Sequence, residues 1–249
     1  MERNAAYSAL AEWFEYLNDD CDYEKWSQYL IKKLSTYAQE KGKTLEGGLD
    51  VGCGGGYFTR SLQRAGYAMV GMDASPEMLD KAQRTAMQEG VRGEYILGDV
   101  ARNKIARKYS FVTSVNDCFN YVEQDKILKA FKNVFGCLKK GGVFLFDVSS
   151  PKKYAEKFRS AVNVDDRDDV TYLSFASTDG KTATLEVTLF AKTPTGEYHR
   201  YDESHVQYVH TEAELLTALH EAGFTSVTVE GHLGEDKSQS DRLQFFAVK

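Results

Sequence analysis

Apolar residues between Tyr23 and Gln39 recur at Trp26, Tyr29, Leu30, Leu34 and Tyr37, with Lys33 adding its aliphatic stem, and this spacing predicts an amphipathic helix. From Gly47 onward the period shortens. The runs GGLDV, YAMVGMD, GEYILGD and YSFVTSVND read as strands, with helical stretches at Tyr57–Arg64 and Pro76–Gln88 among them. A further helix over 124–138 leads into the strand GGVFLFDVSS. Strands that alternate with helices in this way predict a parallel sheet covered on both faces, because each crossover lays a helix on the sheet.

Beyond Pro151 the rhythm breaks. Residues 170–209 are rich in Thr, Tyr, Val and Phe without helical spacing, and the turn formers at Asp179-Gly180 and Pro194–Gly196 divide them into an antiparallel insertion of about three strands. The acidic run DDRDD (Asp165–Asp169) is expected to be an exposed connection. The α/β pattern then resumes, with Thr211 as a helix N-cap, Glu214 at the capping-box position and Gly223 as terminator, followed by the strands SVTVEG and RLQFFAV.

A chain of 249 residues, 42% hydrophobic and 12% aromatic, can enclose the core of one main domain with an elaboration. A net charge of −6 and a pI near 5.5 leave no basic field for phosphate backbones, so nucleic acid is a disfavoured partner. Cys21, Cys53, Cys118 and Cys137 show no paired spacing, and His199, His205, His210, His220 and His232 no compact ligand spacing. Neither a disulfide framework nor a metal site is expected. The opening MERNAAYSALAEWFEYLNDD is acidic and lacks a basic start with an unbroken apolar run, and no stretch approaches the ~20 apolar residues that span a bilayer. Secretion and membrane insertion are not expected, and a cytoplasmic location is.

The sharpest signal is Asp50-Val51-Gly52-Cys53-Gly54-Gly55-Gly56, where a strand ends in a glycine loop and a helix follows. A structural turn needs one or two glycines; four let a ligand approach bare backbone. The dinucleotide fingerprint asks for glycine at positions one, three and six, and both registers fail, at Tyr57 and at Thr59. An acid at the strand end suits a ligand with an ammonium or sulfonium group and would repel a pyrophosphate. Asp73 ends the second strand, where a carboxylate can grip both hydroxyls of a ribose; capping the next helix is the plainer role, but Ser75 before Pro76 already fills it. Asp99 ends the third strand, within reach of an adenine amino group. Ligands of open α/β sheets bind at the carboxyl ends of strands, so three acids along one edge reinforce one another.

On these residues the chain resembles the class I S-adenosylmethionine-dependent methyltransferases, in particular small bacterial members with a β insertion after the fifth strand. The resemblance implies an α/β, Rossmann-like sheet of seven strands ordered 3-2-1-4-5-7-6, strand 7 antiparallel, with helices on both faces. It divides the chain into an N-terminal helical lid (1–44), a cofactor-binding core (45–150), an antiparallel β insertion on the acceptor side (151–210) and the remainder of the core (211–249). Leu138-Lys139-Lys140-Gly141-Gly142 matches the turn that precedes the family's fifth strand. The implied cofactor contacts are Asp50, Gly52, Cys53 and Gly54 in the loop; Asp73, Ala74 and Met78 around the second strand end; Asp99 and Val100; Asn116 after the fourth strand; and Tyr23 and Trp26 in the lid. Simple helix packing is the other role open to Trp26. Relatives show Tyr-Asp where this chain has Phe14-Glu15.

A sulfonium methyl is already activated, so transfer needs chiefly a nucleophile held in line behind it, with a base where the acceptor carries a proton. The segment Asn116-Asp117-Cys118-Phe119-Asn120-Tyr121 is not the Asn-Pro-Pro-aromatic motif of resembling base-amino methylases. Along 198–207 the strand alternation sets Tyr201, Glu203 and His205 on one face and Arg200, Asp202 and Ser204 on the other, one of which lines an acceptor pocket unless both are merely packed or solvated. Relatives carry a similar Arg-x-Asp-Glu-x-His run, which makes His205, with Tyr201, the expected acceptor-side pair. The acceptor itself is expected to be a small organic molecule. A nicotinamide-dependent oxidoreductase and a non-catalytic S-adenosylmethionine-binding regulator are the competing functions.

Overall fold

A computed structural model describes residues 7–249; the first six residues of the acidic opening and of the expected lid lie outside the described residues. The main sheet has seven strands in the order β3 (Tyr95–Leu97), β2 (Ala68–Asp73), β1 (Gly47–Val51), β4 (Tyr109–Ser114), β5 (Leu138–Ser149), β11 (Arg242–Val248), β10 (Ser226–Gly231). The first five run parallel, and β11 is antiparallel to both neighbours, as expected.

Period-two alternation in β5 explains the two cores. Phe144 and Phe146 face the side covered by α5 (Ile127–Cys137) and α7 (Glu212–Ala222), where they pack with Phe131, Leu215 and Leu219. Val143 and Leu145 face the side covered by α2 (Tyr23–Glu40) and α3 (Tyr57–Arg64), where they meet Trp26, Leu30, Phe58 and Leu62. Every residue of the central β4 is buried. Helix ends follow the sequence: Ser75 caps α4 (Pro76–Gln88) with its hydroxyl on the Met78 N–H, and Thr211 and Glu214 form a reciprocal capping box ahead of Gly223.

The insertion is a second, antiparallel sheet of four strands, β6 (Ala161–Asp166), β7 (Val170–Thr178), β8 (Thr182–Lys192) and β9 (Tyr198–Tyr208). Three strands were expected, because β6 runs into the acidic stretch that reads as a connection. Its exposed Val162 and Val164 give it no buried face to read, and backbone pairing to β7 holds it. Arg167 reconciles the acids, bridging Asp165 and Asp19. Two short helices were also not foreseen, α1 (Leu10–Leu17) and α6 (Pro151–Lys157). The stripe Leu10, Trp13, Phe14, Leu17 of α1 packs on Val170, Val187 and Leu189 of the second sheet, while Glu12 ties the same helix to Lys81 and Arg84 of α4.

Candidate active site

The glycine loop after β1 is shaped by backbone that a side chain would disrupt. Gly52 has φ +68°, and a Cβ there would lie 2.2 Å from Cys118 Sγ, so the loop rests directly on the 3-10 turn Cys118–Tyr121 that follows β4. Gly54 has φ +52°, and its Cβ would meet only Met78 Sδ, at 3.9 Å, so this stretch of backbone borders open space.

Asp50 does not border that space, contrary to the expectation of a direct ligand contact. It is directed beneath the loop, where Oδ2 accepts from the Thr59 hydroxyl at 2.6 Å and Oδ1 from Thr113 at 2.9 Å. It therefore ties α3 and β4 to β1 under the loop, and burial pushes its carboxyl up to about 6. Asp73, at the end of β2, does reach the site. Its Oδ2 accepts the Gly54 N–H at 2.8 Å and its Oδ1 the Ser75 N–H at 2.9 Å, which latches the loop to the neighbouring strand and leaves each oxygen a lone pair. Burial raises its carboxyl above the ordinary range. Asp99 accepts from the Ala101 N–H at 2.8 Å and pairs with Arg102 at 3.1 Å.

These groups surround a cavity of about 360 Å³, within the size range of small-molecule sites. Gly52, Cys53, Gly54, Asp73, Ala74, Met78, Asp99, Val100, Asn116 and Tyr23 all line it. Among the described lining residues there are the acids Glu15, Asp73, Glu77 and Asp99 and no Lys, Arg or His. Such a wall attracts a cation and repels a pyrophosphate. Tyr23 adds a buried hydroxyl with no hydrogen-bond partner among the described residues, a polar group left for a ligand to satisfy. Bare glycine backbone, strand-end acids and an orphan hydroxyl fit S-adenosylmethionine.

Trp26 lies outside this cavity. Buried at the start of α2, it packs edge-on against Phe58 and His232 and supports the Arg242 guanidinium 4.8 Å from its ring, so its place is structural. Arg242 in turn donates to Asp117 Oδ1 at 2.7 Å and to Asp147 Oδ1 at 2.6 Å. Burial opposes the charge on Asp117, but Arg242 and Lys153 outweigh it and hold that carboxyl well below the usual range. Asn116 and Asp117 both adopt left-handed backbone, φ +67° and +66°, a strain of ~1–2 kcal/mol per residue. The two Asp147 oxygens hold it in place by accepting both N–H groups, at 2.8 and 3.0 Å.

A second cavity, about 210 Å³, adjoins the first and shares Tyr7, Phe14, Asn116 and Tyr121 with it. Its far wall is the inner face of the inserted sheet, including Tyr172, Leu185, His205 and Gln207. His205, the first of the two expected acceptor-side residues, lines this second cavity. Tyr201, the second, packs with the apolar cluster of Leu10 and Leu189 and lines neither cavity, being too far along β9 from the point where the two meet. The opposite face of β9 is the outer one, where Arg200 pairs with Asp202. Sequence reasoning did not single out Tyr7, Asp117, Tyr121 or Gln207. Only Asp117 and Tyr121 carried a signal, by lying in the segment after β4; the others are placed by tertiary packing alone. No group of three or more His, Cys, Asp or Glu that could hold a metal occurs among the described residues, and no helix among them is long and apolar enough to cross a membrane.

Residues 49–142, from β1 into β5, match the family model of a methyltransferase domain. The chain is 28% identical over 247 residues to a methyltransferase-named protein of Geobacillus sp. (strain WCH70), covering 98% of this chain and 99% of that one. It is 30% identical to YqeM of Bacillus subtilis (strain 168), also methyltransferase-named, covering 98% and 97%. An S-adenosylmethionine-dependent methyltransferase from Clostridium acetobutylicum ATCC 824 superposes with a TM-score of 0.84 at 25% identity over 95% of each chain. With methyltransferase-named relatives along nearly its whole length and an acid-lined cavity at its glycine loop, the chain belongs to the class I S-adenosylmethionine-dependent methyltransferases, enzymes that move a methyl group from that cofactor to an acceptor.

Proposed function

We propose that the larger cavity is the cofactor site and the smaller one the acceptor site, with the methyl group passing at the junction formed by Tyr7, Phe14, Asn116 and Tyr121. The observation that carries this reading is the wall of four acids without a basic residue beside bare glycine backbone. Asp73 takes the ribose hydroxyls, Asp99 and Val100 the adenine, and Ala74 and Met78 flank them. Gly52, Cys53, Gly54 and Asn116 hold the methionine end, with Tyr23 closing over it. Asp50 acts from below by fixing the loop. When bound, S-adenosylmethionine supplies a methyl group activated on sulfonium sulfur. The protein's share is to hold the acceptor in line and exclude water, which can lower the barrier by ~7–11 kcal/mol.

Residues 1–44 then serve as a lid, 45–150 with 211–249 as the cofactor core, and 151–210 as the acceptor side. A space of about 210 Å³ under a sheet takes a small organic molecule rather than a macromolecule, and the acidic surface favours such an acceptor over nucleic acid in the cytoplasm. Calorimetry tests the cofactor half: S-adenosylmethionine and S-adenosylhomocysteine bind and NADH does not. Transfer of labelled methyl into fractionated cell metabolites identifies the acceptor, and label found only in RNA would overturn the small-molecule reading.

A further inference from the structure

We propose that Tyr7 Oη takes the proton of the methyl acceptor, and that Tyr121, His205 and Glu203 form the relay that carries the charge away from the junction of the two cavities. The inference rests on the cavity assignment above. The direction of each hydrogen bond follows from one buried carboxylate. Glu203 accepts the N–H groups of Tyr7 and Leu10 and the Ser8 hydroxyl, each at 2.9 Å. Burial alone would raise its carboxyl, but these donors with His205 outweigh burial and hold it below the ordinary range. An ionised carboxylate can only accept, so His205 Nε2, 3.1 Å away, carries the hydrogen. In its neutral form His205 then has its lone pair on Nδ1, which accepts from the Tyr121 hydroxyl at 3.2 Å. Tyr121, having given its hydrogen, accepts from Tyr7 at 2.8 Å. Tyr7, a residue that lines both cavities, is left with hydroxyl lone pairs that no described residue occupies.

For an acceptor R–XH, the X–H proton goes to Tyr7 Oη while the Tyr7 proton passes to Tyr121 Oη and the Tyr121 proton to His205 Nδ1. The electron pair left on X by its departing proton forms the bond to the methyl carbon as the carbon–sulfur bond breaks, the electrons of that bond staying on sulfur. Both tyrosines end neutral, as they began, and the one displaced proton rests on an imidazolium held against Glu203. It leaves by the reverse path once the product has gone. This solves a difficulty that Tyr7 alone would face, since burial makes a tyrosinate costly at either tyrosine. The acceptor is accordingly a small molecule whose nucleophile bears a proton, a hydroxyl or an ammonium, and not a sulfide or a tertiary amine. His205 is a relay residue here, with both nitrogens already committed.

The first test needs no ligand. In the full chain labelled with ¹⁵N-histidine at neutral pH, NMR is expected to show the His205 proton on Nε2 with Nδ1 as acceptor. Tyr121→Phe is expected to shift Nδ1 towards an unbonded imidazole nitrogen, and Tyr7→Phe to shift it less in the same direction. A proton on Nδ1, or an Nδ1 resonance unmoved by Tyr121→Phe, overturns the relay whether or not the cofactor assignment stands, which S-adenosylhomocysteine calorimetry decides separately. The second test follows labelled methyl into a metabolite extract. Tyr7→Phe and Tyr121→Phe should each lower transfer ~10²- to 10⁴-fold, with the double variant no worse than either. Unchanged transfer in Tyr7→Phe, or losses that multiply in the double variant, overturns the proposal.

Discussion

Replacing Asp73 by Ala removes two things together: the charged acceptor that the proposed function assigns to the cofactor's sugar, and the latch on the Gly54 and Ser75 N–H groups. A hydrogen bond to a charged group contributes ~1.5–3 kcal/mol, and each 1.4 kcal/mol is tenfold in affinity, so losing one such bond weakens S-adenosylhomocysteine binding roughly 10- to 150-fold. The latch acts on stability instead. Two hydrogen bonds to the same carboxylate at ~1.5–3 kcal/mol each give a loss of about 3–6 kcal/mol, a fall in Tm on the order of 10 °C for a domain of this size. Asp73→Asn separates the two effects, because an amide oxygen keeps one latch bond while the charge is gone. It should lose most of the affinity and about half of the stability. Calorimetry with S-adenosylhomocysteine and thermal unfolding of the parent and both variants read these out. Asp73→Ala that melts early yet binds as tightly as the parent would show that the carboxylate is a latch only, and the cofactor assignment would fail with it.

Two further expectations concern the buried charges. Asp50 titrates at about 6 when folded and at ~3.9 when unfolded, so between these values the folded chain keeps a proton that the unfolded chain has released. The resulting stabilisation, on the order of 3 kcal/mol, is complete below about pH 4 and is lost as pH rises through about 6. Asp50→Asn removes that slope, and urea unfolding from pH 4 to 7 with the same pH dependence in both proteins would refute it. Arg242→Met leaves Asp147 without its cation and Asp117 with Lys153 alone, and should cost ~3–5 kcal/mol at neutral pH, less as pH falls; a loss below about 1 kcal/mol would show that the pair is solvated rather than buried.

The parts of the site that the sequence reveals are those built from neighbours along the chain. The glycine loop, the strand-end acids Asp73 and Asp99 and the cap at Ser75 are contiguous, so spacing alone exposes them. Asp50 is instructive because its type and place fit a ligand contact, yet Thr59 and Thr113 claim both oxygens, and neither hydroxyl can be foreseen from the loop. The junction is different in kind. Tyr7 meets Tyr121 across 114 positions and Glu203 across 196, and no local pattern encodes such meetings. Among the elements, α1 was legible in principle, since Leu10, Phe14 and Leu17 keep helical spacing. The strand β6 was not, because its apolar residues face solvent and its end is acidic.

Glu203 and Glu12 act together as an interlock. Glu203 fastens residues 7–10 to the inserted sheet, and Glu12 fastens the helix that begins there to α4 beside the larger cavity. Tyr7 can stand at the junction only while both halves are drawn together. Because Tyr7 is fastened through its own backbone N–H, its place between the two cavities depends on the inserted sheet and α4 keeping their positions.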